Sequence, residues 1–234
     1  MSKIISIKNA TYGLMAKENE GRITNPDTSG PSAIANCQLQ HFNYKTGLKE
    51  TNPMDQASLF KTSMGKWIHQ PWLEMLKANG IINDFEVEGR AKLFDINWHF
   101  FVDGVADDFV LELKTVYAGG FRALETNGLE SKEGYVFQTI IYMEHHQKPG
   151  IITFGGRDNG FMMEYVLEYS KDKLLINGEQ NNILHDSFHK HIDILKDTQQ
   201  RIKDNHSHRP KPLNPLHRLC FQYQQKIPYR IYYY

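Results

Sequence analysis

The stretch FFVDGVADDFVLELKTV, at residues 100–116, combines strand-forming residues with charges that a buried strand does not normally carry. Its Phe, Val and Leu content predicts two β-strands. The adjacent acids Asp107 and Asp108 predict the two-residue turn that joins these strands into a hairpin. That turn sets the antiparallel register, which places Asp103 directly opposite Glu112.

Two carboxylates in facing positions destabilise a hairpin unless something offsets their charge, and a divalent cation would do so. Because side chains alternate along a strand, Lys114 shares the face of Glu112. Hard oxygen ligands at this spacing suit Mg²⁺ or Mn²⁺. A nearby lysine can position a water, help deprotonate it or neutralise charge on phosphorus. The pattern predicts metal-assisted phosphodiester hydrolysis; a strand with a solvent-facing polar side is the alternative.

Two further motifs lie in segments with helical patterns, one on each side of this sequence. GKWIH ends at His69, and QTIIY joins Gln138 to Tyr142. The first and last residues of each motif are four apart and therefore lie on one face of a helix. Alone, the histidine is more typical of a surface or hydrogen-bonded histidine, and the Gln/Tyr pair of a polar helix edge.

The order of predicted elements indicates an α/β protein with a mixed sheet flanked by helices. Length and composition suit one domain spanning residues 1–234, with an N-terminal arm at 1–30 and a basic tail at 205–234. The predicted elements are a helix from Ser32, one or two helices over 54–80 with a break at Pro71, three antiparallel strands over 84–116, a helix over 133–146, a hairpin turn near 158–160 and helical segments over 171–204.

Taken in order, GKWIH, Asp103, ELK and QTIIY resemble the motif series of the PD-(D/E)XK nuclease superfamily. The branch most similar is that of the RecB-like nucleases, with CRISPR-adaptation nucleases and lambda-type exonucleases nearby. The segment SAIANCQLQHFNYKTG is similar to the opening helix of that branch. The resemblance covers residues 32–142 and implies a restriction-endonuclease-like core, in which a central mixed sheet carries an antiparallel catalytic hairpin.

The resemblance also implies roles for individual residues. Asp103, Glu112 and Lys114 are the expected catalytic set. Asp103 and Glu112 would bind Mg²⁺ or Mn²⁺, with the Leu113 carbonyl and His69 as additional metal ligands. Lys114 would be the catalytic lysine.

Two more residues, Gln138 and Tyr142, are expected to act in the active site or to contact DNA. Glu74 is a weaker candidate and better explained as an exposed helix acid. The implied function is a metal-dependent deoxyribonuclease, favoured as an exonuclease acting at DNA ends in recombination, repair or phage replication. A structure-specific endonuclease and a catalytically inactive DNA-binding or regulatory module of the same fold are the alternatives.

Many relatives in this branch hold an iron-sulfur cluster on four cysteines, whereas this sequence contains only Cys37 and Cys220. No iron-sulfur cluster is therefore expected. The absence of a long apolar run predicts an intracellular protein with no membrane contact. The resemblance further implies the cytoplasm of a bacterium or of a phage-infected cell.

The net charge of zero conceals an asymmetry that bears on the partner. Residues 201–234 hold seven Lys or Arg against one acid, which makes this end +6 and the remainder −6. A basic, tyrosine-rich tail is suited to contact with DNA, although a solvated tail is an equal alternative. DNA is thus the predicted partner, and a recombination or replication protein that loads the enzyme remains open.

Overall fold

The structure is a computed structural model that describes residues 11, 13–15, 25, 27–47 and 55–204 of the 234-residue chain. The predicted basic tail at 205–234, including Cys220, lies outside the described residues, as does most of the arm predicted at 1–30. Within the described ranges, no helix has both the length and the apolar character needed to cross a membrane.

A seven-stranded sheet forms the centre of the described part, and its strands lie side by side in chain order. Strands β3 and β4 run parallel, whereas every other neighbouring pair is antiparallel. The predicted mixed sheet is therefore confirmed. The strands are β1 (Asp84–Leu93), β2 (Ile96–Val105), β3 (Val110–Val116), β4 (Gly150–Gly156), β5 (Met162–Ser170), β6 (Lys173–Ile176) and β7 (Glu179–Gln180).

The hairpin of β2 and β3 has the predicted register. Val105 pairs with Val110, and the turn at Asp107 and Asp108 closes with a 2.9 Å hydrogen bond from the Ala106 N–H to the Phe109 carbonyl. A two-residue connection leaves only one way to align the strands, which is why local sequence sufficed to predict it.

Residues 27–47 and 55–204 contain five α-helices. The second helix begins where the Asp55 side chain accepts a 2.7 Å hydrogen bond from the Ser58 N–H. It runs through Pro71 without a break and ends before Gly80, whose φ of 69° suits glycine. The helices are α1 (Gln38–Lys45), α2 (Gln56–Ala78), α3 (Ala118–Asn127), α4 (Glu133–His146) and α5 (Asn182–Asp204).

Besides the predicted break at Pro71, which is absent, the structure differs from the predicted elements in three places. The first helix begins at Gln38 rather than Ser32, because residues Pro31–Ala33 form a separate 3₁₀ turn. The segment predicted as helical from Lys171 begins with strands β6 and β7, and only α5 is helical there. Helix α3 was not predicted, and it occupies a segment to which the sequence pattern assigned no element.

Helices cover both faces of the sheet. On one face, Leu73 of α2 packs with Leu111 and Leu113. On the other, Phe137 of α4 and Phe188 of α5 belong to the larger core. Since β3 lies between these two layers, it is buried along nearly its whole length. Any charged side chain on β3 therefore needs partners inside the protein.

Candidate active site

Asp103 lies where strands β2 and β3 separate. Their ladder contains two pairs, and the last of them joins Gly104 to Leu111. Beyond it, an Asp103 carboxylate oxygen accepts a 2.8 Å hydrogen bond from the backbone N–H of Leu113. The Asp103 side chain is 20 % exposed, so it can be reached from solvent.

The ladder on the other side of Asp103 is interrupted at the same level. Phe85 pairs with Gly104 and Val87 with Val102, but Glu86, which stands between them, has a φ of 50° and forms no ladder pair. Left-handed backbone is uncommon for a residue other than glycine. Asp103 thus occupies an irregular point in an otherwise regular sheet.

Glu112 and Lys114 are buried on β3 beside Asp103. The Glu112 side chain has no exposed surface, and its Oε1 lies against the Lys114 Nζ in an ion pair. The Lys114 Nζ is also 3.5 Å from Asp103 Oδ2 and 5.3 Å from the centre of the Tyr135 ring. One ammonium group therefore lies next to both predicted acids.

Helix α4 contributes Gln138 and Tyr142 to the same cluster. The Gln138 Nε2 donates to Glu112 Oε2 at 3.2 Å and to the Tyr142 hydroxyl. The hydroxyl in turn donates to the Phe101 carbonyl at 3.0 Å. This chain of hydrogen bonds connects α4 to β2 and β3 on either side of their separation.

His69 approaches the cluster from α2, on the opposite layer. Burial is the main cause that lowers the pKa of His69, to about 4; the Asp103 charge opposes this shift, whereas Lys114 and Arg157 reinforce it. His69 thus lies within electrostatic reach of the predicted site. Glu74 is exposed and accepts a 2.8 Å hydrogen bond from Gln70, as expected of a surface acid.

Burial and neighbouring charges shift the pKa values of Glu112 and Lys114. Burial raises the pKa of Glu112 and the Asp103 charge adds to this shift, whereas the adjacent Lys114 ammonium opposes it and favours the ionised carboxylate. Burial alone would lower the pKa of Lys114, but the charges of Asp103 and Glu112 raise it above its ordinary value. Lys114 is therefore protonated, and it neutralises charge that would otherwise accumulate in the cluster.

The donor set fits a hard cation bound by few protein ligands. The Glu112 carboxylate is buried, with Oε1 against the Lys114 ammonium and Oε2 accepting from Gln138. A second carboxylate, that of Asp103, stands beside it. Among the described residues, no three His, Cys, Asp or Glu side chains are grouped as ligands for a metal. The arrangement suits an ion that keeps several water ligands, as Mg²⁺ does, rather than an ion whose ligands all come from the protein.

Leu113 contributes to this cluster through its backbone alone. Its side chain is fully buried on the α2 side, and its N–H is bound by Asp103. Of the residues near the cluster, Arg157 was not predicted. It lies in the turn after β4, far along the chain from every recognised motif, and no pattern of spacing connects it to them.

Comparisons with known proteins identify similar structures but no family. No family model matches the chain, and no curated protein does. The crystal structure of a protein known as SSO0001 is 15 % identical, covers 88 % of this chain and 90 % of its own, and has a TM-score of 0.53. The alkaline exonuclease LHK-Exo from Laribacter hongkongensis is 11 % identical, with 76 % and 91 % covered and a TM-score of 0.42.

Similarity at these identities concerns the fold. The mixed sheet, its antiparallel hairpin and the helices on both faces confirm the predicted α/β class with a central mixed sheet flanked by helices. A fold of this class supports more than one function, so the activity has to be argued from the side chains.

Proposed function

We propose that this protein is a Mg²⁺- or Mn²⁺-dependent nuclease that hydrolyses phosphodiester bonds in DNA. The observation that carries the proposal is the cluster in which the buried Glu112 carboxylate and the partly exposed Asp103 carboxylate both lie beside one ammonium, that of Lys114. Two acids that share a single buried cation leave negative charge in excess, which a bound divalent cation would offset.

In this proposal, Asp103 and Glu112 would hold the metal, with the Leu113 carbonyl as a further ligand. His69 is a further candidate ligand, although among the described residues its side chain is not grouped with both acids. When bound, the ion supplies activation of a water and neutralisation of phosphate charge. The low pKa of His69 supports its assignment, because only a neutral imidazole can bind a metal.

Lys114 acts as a fixed positive charge. Since its pKa is raised by two neighbouring carboxylates, it remains protonated at neutral pH. A protonated lysine stabilises the negative charge that develops on the phosphate during hydrolysis. Of the roles open to this lysine, the structure therefore favours charge neutralisation over deprotonation of a water.

Gln138 and Tyr142 hold the Glu112 side chain in one orientation. Tyr142 is 1 % exposed, which supports a positioning role for its hydroxyl. Gln138 is half-buried, and we retain it as a candidate contact to DNA. Residues that hydrogen-bond to a metal ligand in this way determine the orientation of its oxygen atoms.

A cleavage assay tests the proposal and separates its forms. Linear DNA labelled at either end and covalently closed circular DNA are incubated with Mg²⁺, Mn²⁺ or EDTA. The exonuclease form that we favour, suited to recombination, repair or phage replication, degrades only the linear substrate and leaves 5′-phosphate and 3′-hydroxyl products. Cutting of circles would identify an endonuclease instead.

The matched variants are Asp103→Asn, in the cluster, and Asp108→Asn, at the exposed turn of the same hairpin. The first should abolish cleavage and the second should not. Absence of metal-dependent cleavage of every substrate, together with DNA binding, would indicate an inactive binding module. Full activity of Asp103→Asn would show that the site is misassigned.

A further inference from the structure

Arg157 follows β4 in a rigid turn. Its backbone N–H donates to the Val116 carbonyl at 2.9 Å, which extends the pairing of β3 and β4 by one bond. The same turn is closed by a 3.1 Å hydrogen bond from the Gly160 N–H to the Gly156 carbonyl. The backbone that carries Arg157 is thus held on both sides.

The guanidinium group of Arg157 is held as firmly. Its Nε donates to the Thr115 hydroxyl at 2.8 Å, and Nη1 donates to the Lys61 carbonyl at 3.1 Å. The group also lies 5.0 Å from the centre of the Tyr117 ring, in a cation–π contact. These partners are neutral, so they orient the positive charge without cancelling it.

Gly65 provides the space for this side chain. A Cβ atom at position 65 would lie 3.0 Å from Arg157 Nη2, closer than most such contacts. Within the described residues, Nη2 has no hydrogen-bond partner and Arg157 has no ion pair. The Nη2 edge of the guanidinium therefore has a fixed orientation but no hydrogen-bond acceptor among the described residues.

The position of this edge relates Arg157 to the candidate site. Gly65 lies one helical turn before His69, on the same face of α2, and the Arg157 charge acts on His69. An arginine without a carboxylate partner among the described residues, oriented on the His69 side of the cluster, is suited to bind an anion there.

We propose that Arg157 binds a backbone phosphate of the DNA strand whose neighbouring phosphodiester reaches Asp103 and Glu112. The inference rests on the proposed nuclease function and assigns the residue that places the strand. Thr115 and Tyr117 orient the guanidinium, and Gly65 admits it. Planar guanidinium groups match phosphate oxygens in pairs, which a lysine cannot reproduce.

Binding in EDTA tests this inference without cleavage. The affinity of the full-length protein for fluorescein-labelled single-stranded and duplex oligonucleotides is measured by anisotropy at several salt concentrations between about 50 and 200 mM KCl. Arg157→Gln should weaken binding roughly tenfold and lower the slope of log affinity against log salt by about one. Removal of a merely structural arginine would not change this slope.

Two more variants keep the inference testable if Arg157→Gln does not fold. Arg157→Lys should retain the salt slope but lose affinity, because the charge remains without the paired geometry. Gly65→Ala should weaken binding by displacing the guanidinium. The control is Lys171→Gln, which removes an exposed charge from the turn between β5 and β6. It should leave both affinity and slope unchanged.

Kinetics with Mg²⁺ provide a second measurement. Arg157→Gln should raise KM about tenfold and change kcat by less than about threefold, since the residue contacts a phosphate that does not react. If the wild-type protein cleaves DNA and Arg157→Gln has the wild-type salt slope and KM, the inference about Arg157 is wrong and the nuclease proposal stands. If the wild-type protein binds no DNA, both are wrong.

Discussion

The carboxylate of Asp103 accepts a hydrogen bond from the backbone N–H of Leu113 at 2.8 Å, beyond the last ladder pair of the β2–β3 hairpin. This contact uses the side chain of one strand to satisfy the backbone of the other. The strands can therefore separate without leaving that buried N–H unpaired. Near this separation, Gln138 of the α4 layer donates to Glu112, and His69 of the α2 layer is influenced by the charge of Asp103.

Divalent cations should stabilise the folded protein through these acids. An ion at about one hundred times its dissociation constant adds about 2.7 kcal/mol to the free energy of unfolding. For a chain of this size, that raises Tm by roughly 5–10 °C. Thermal unfolding with Mn²⁺, Mg²⁺ or EDTA measures the effect.

The same measurement distinguishes the cluster from other acids. Asp103→Asn and Glu112→Gln should lose the metal-dependent rise in Tm, whereas Asp108→Asn should keep it. An equal rise in all three variants would place the ion elsewhere on the protein.

Removal of the buried ammonium should destabilise the protein strongly. Lys114→Met leaves the Asp103 and Glu112 carboxylates without their buried cation, at a cost of about 3–5 kcal/mol. Chemical denaturation in EDTA measures this change. The exposed Lys171→Met serves as control and should alter stability by less than about 0.5 kcal/mol.

A double variant examines whether the charge is the cause. Lys114→Met combined with Glu112→Gln should recover part of the loss, because it removes one of the two uncompensated acids. If Glu112→Gln destabilises the Lys114→Met variant by as much as it destabilises the wild-type protein, the two residues are not coupled as their contact indicates.

Loss of one hydroxyl from α4 should affect both stability and activity. Tyr142→Phe removes the donor to the Phe101 carbonyl and one partner of the Gln138 amide. Buried groups left without partners cost about 1–3 kcal/mol. We expect a lower free energy of unfolding and slower cleavage, because Gln138 no longer holds Glu112 in place.

The exposed Tyr44→Phe is the matched control, and it should change neither property. Unfolding in denaturant and initial cleavage rates are measured side by side. Wild-type activity in Tyr142→Phe would remove the positioning role proposed for its hydroxyl.

A fall in pH should lower the free energy of unfolding through His41, which lies away from the candidate site. Burial, reinforced by the charge of Lys45, lowers the pKa of His41 from 6.5 to about 4. The folded protein thus holds His41 neutral, and it hydrogen-bonds to the buried Ser29 hydroxyl at 3.2 Å. This contribution is fully present above pH 6.5 and is lost as the pH falls from 6.5 to about 4.

The expected loss is up to about 3 kcal/mol, at about 1.4 kcal/mol per pKa unit. His41→Gln cannot be protonated, so it should flatten the dependence of unfolding free energy on pH over that range. A variant that keeps the wild-type slope would show that another group causes it.

The hairpin of β2 and β3 was predictable because it depends on neighbouring residues. The turn at Asp107 and Asp108 determines the register, and alternation then determines which side chains share a face. The same holds for the turn after β6, where Asn177 and Gly178 have φ values of 51° and 84°. That Asn-Gly pair is a hairpin signal in the sequence, and the helical reading of this segment overlooked it.

The sequence by itself determined the mixed α/β class, the hairpin register and the order of its motifs, since each depends on residues close together in the chain. Only the tertiary structure brought His69, Gln138 and Arg157 to the acids. Their proximity depends on how α2 and α4 pack on opposite faces of β3, and on Gly65 leaving room beside Arg157. Such contacts join distant segments through packing, and packing leaves no periodic pattern in the sequence.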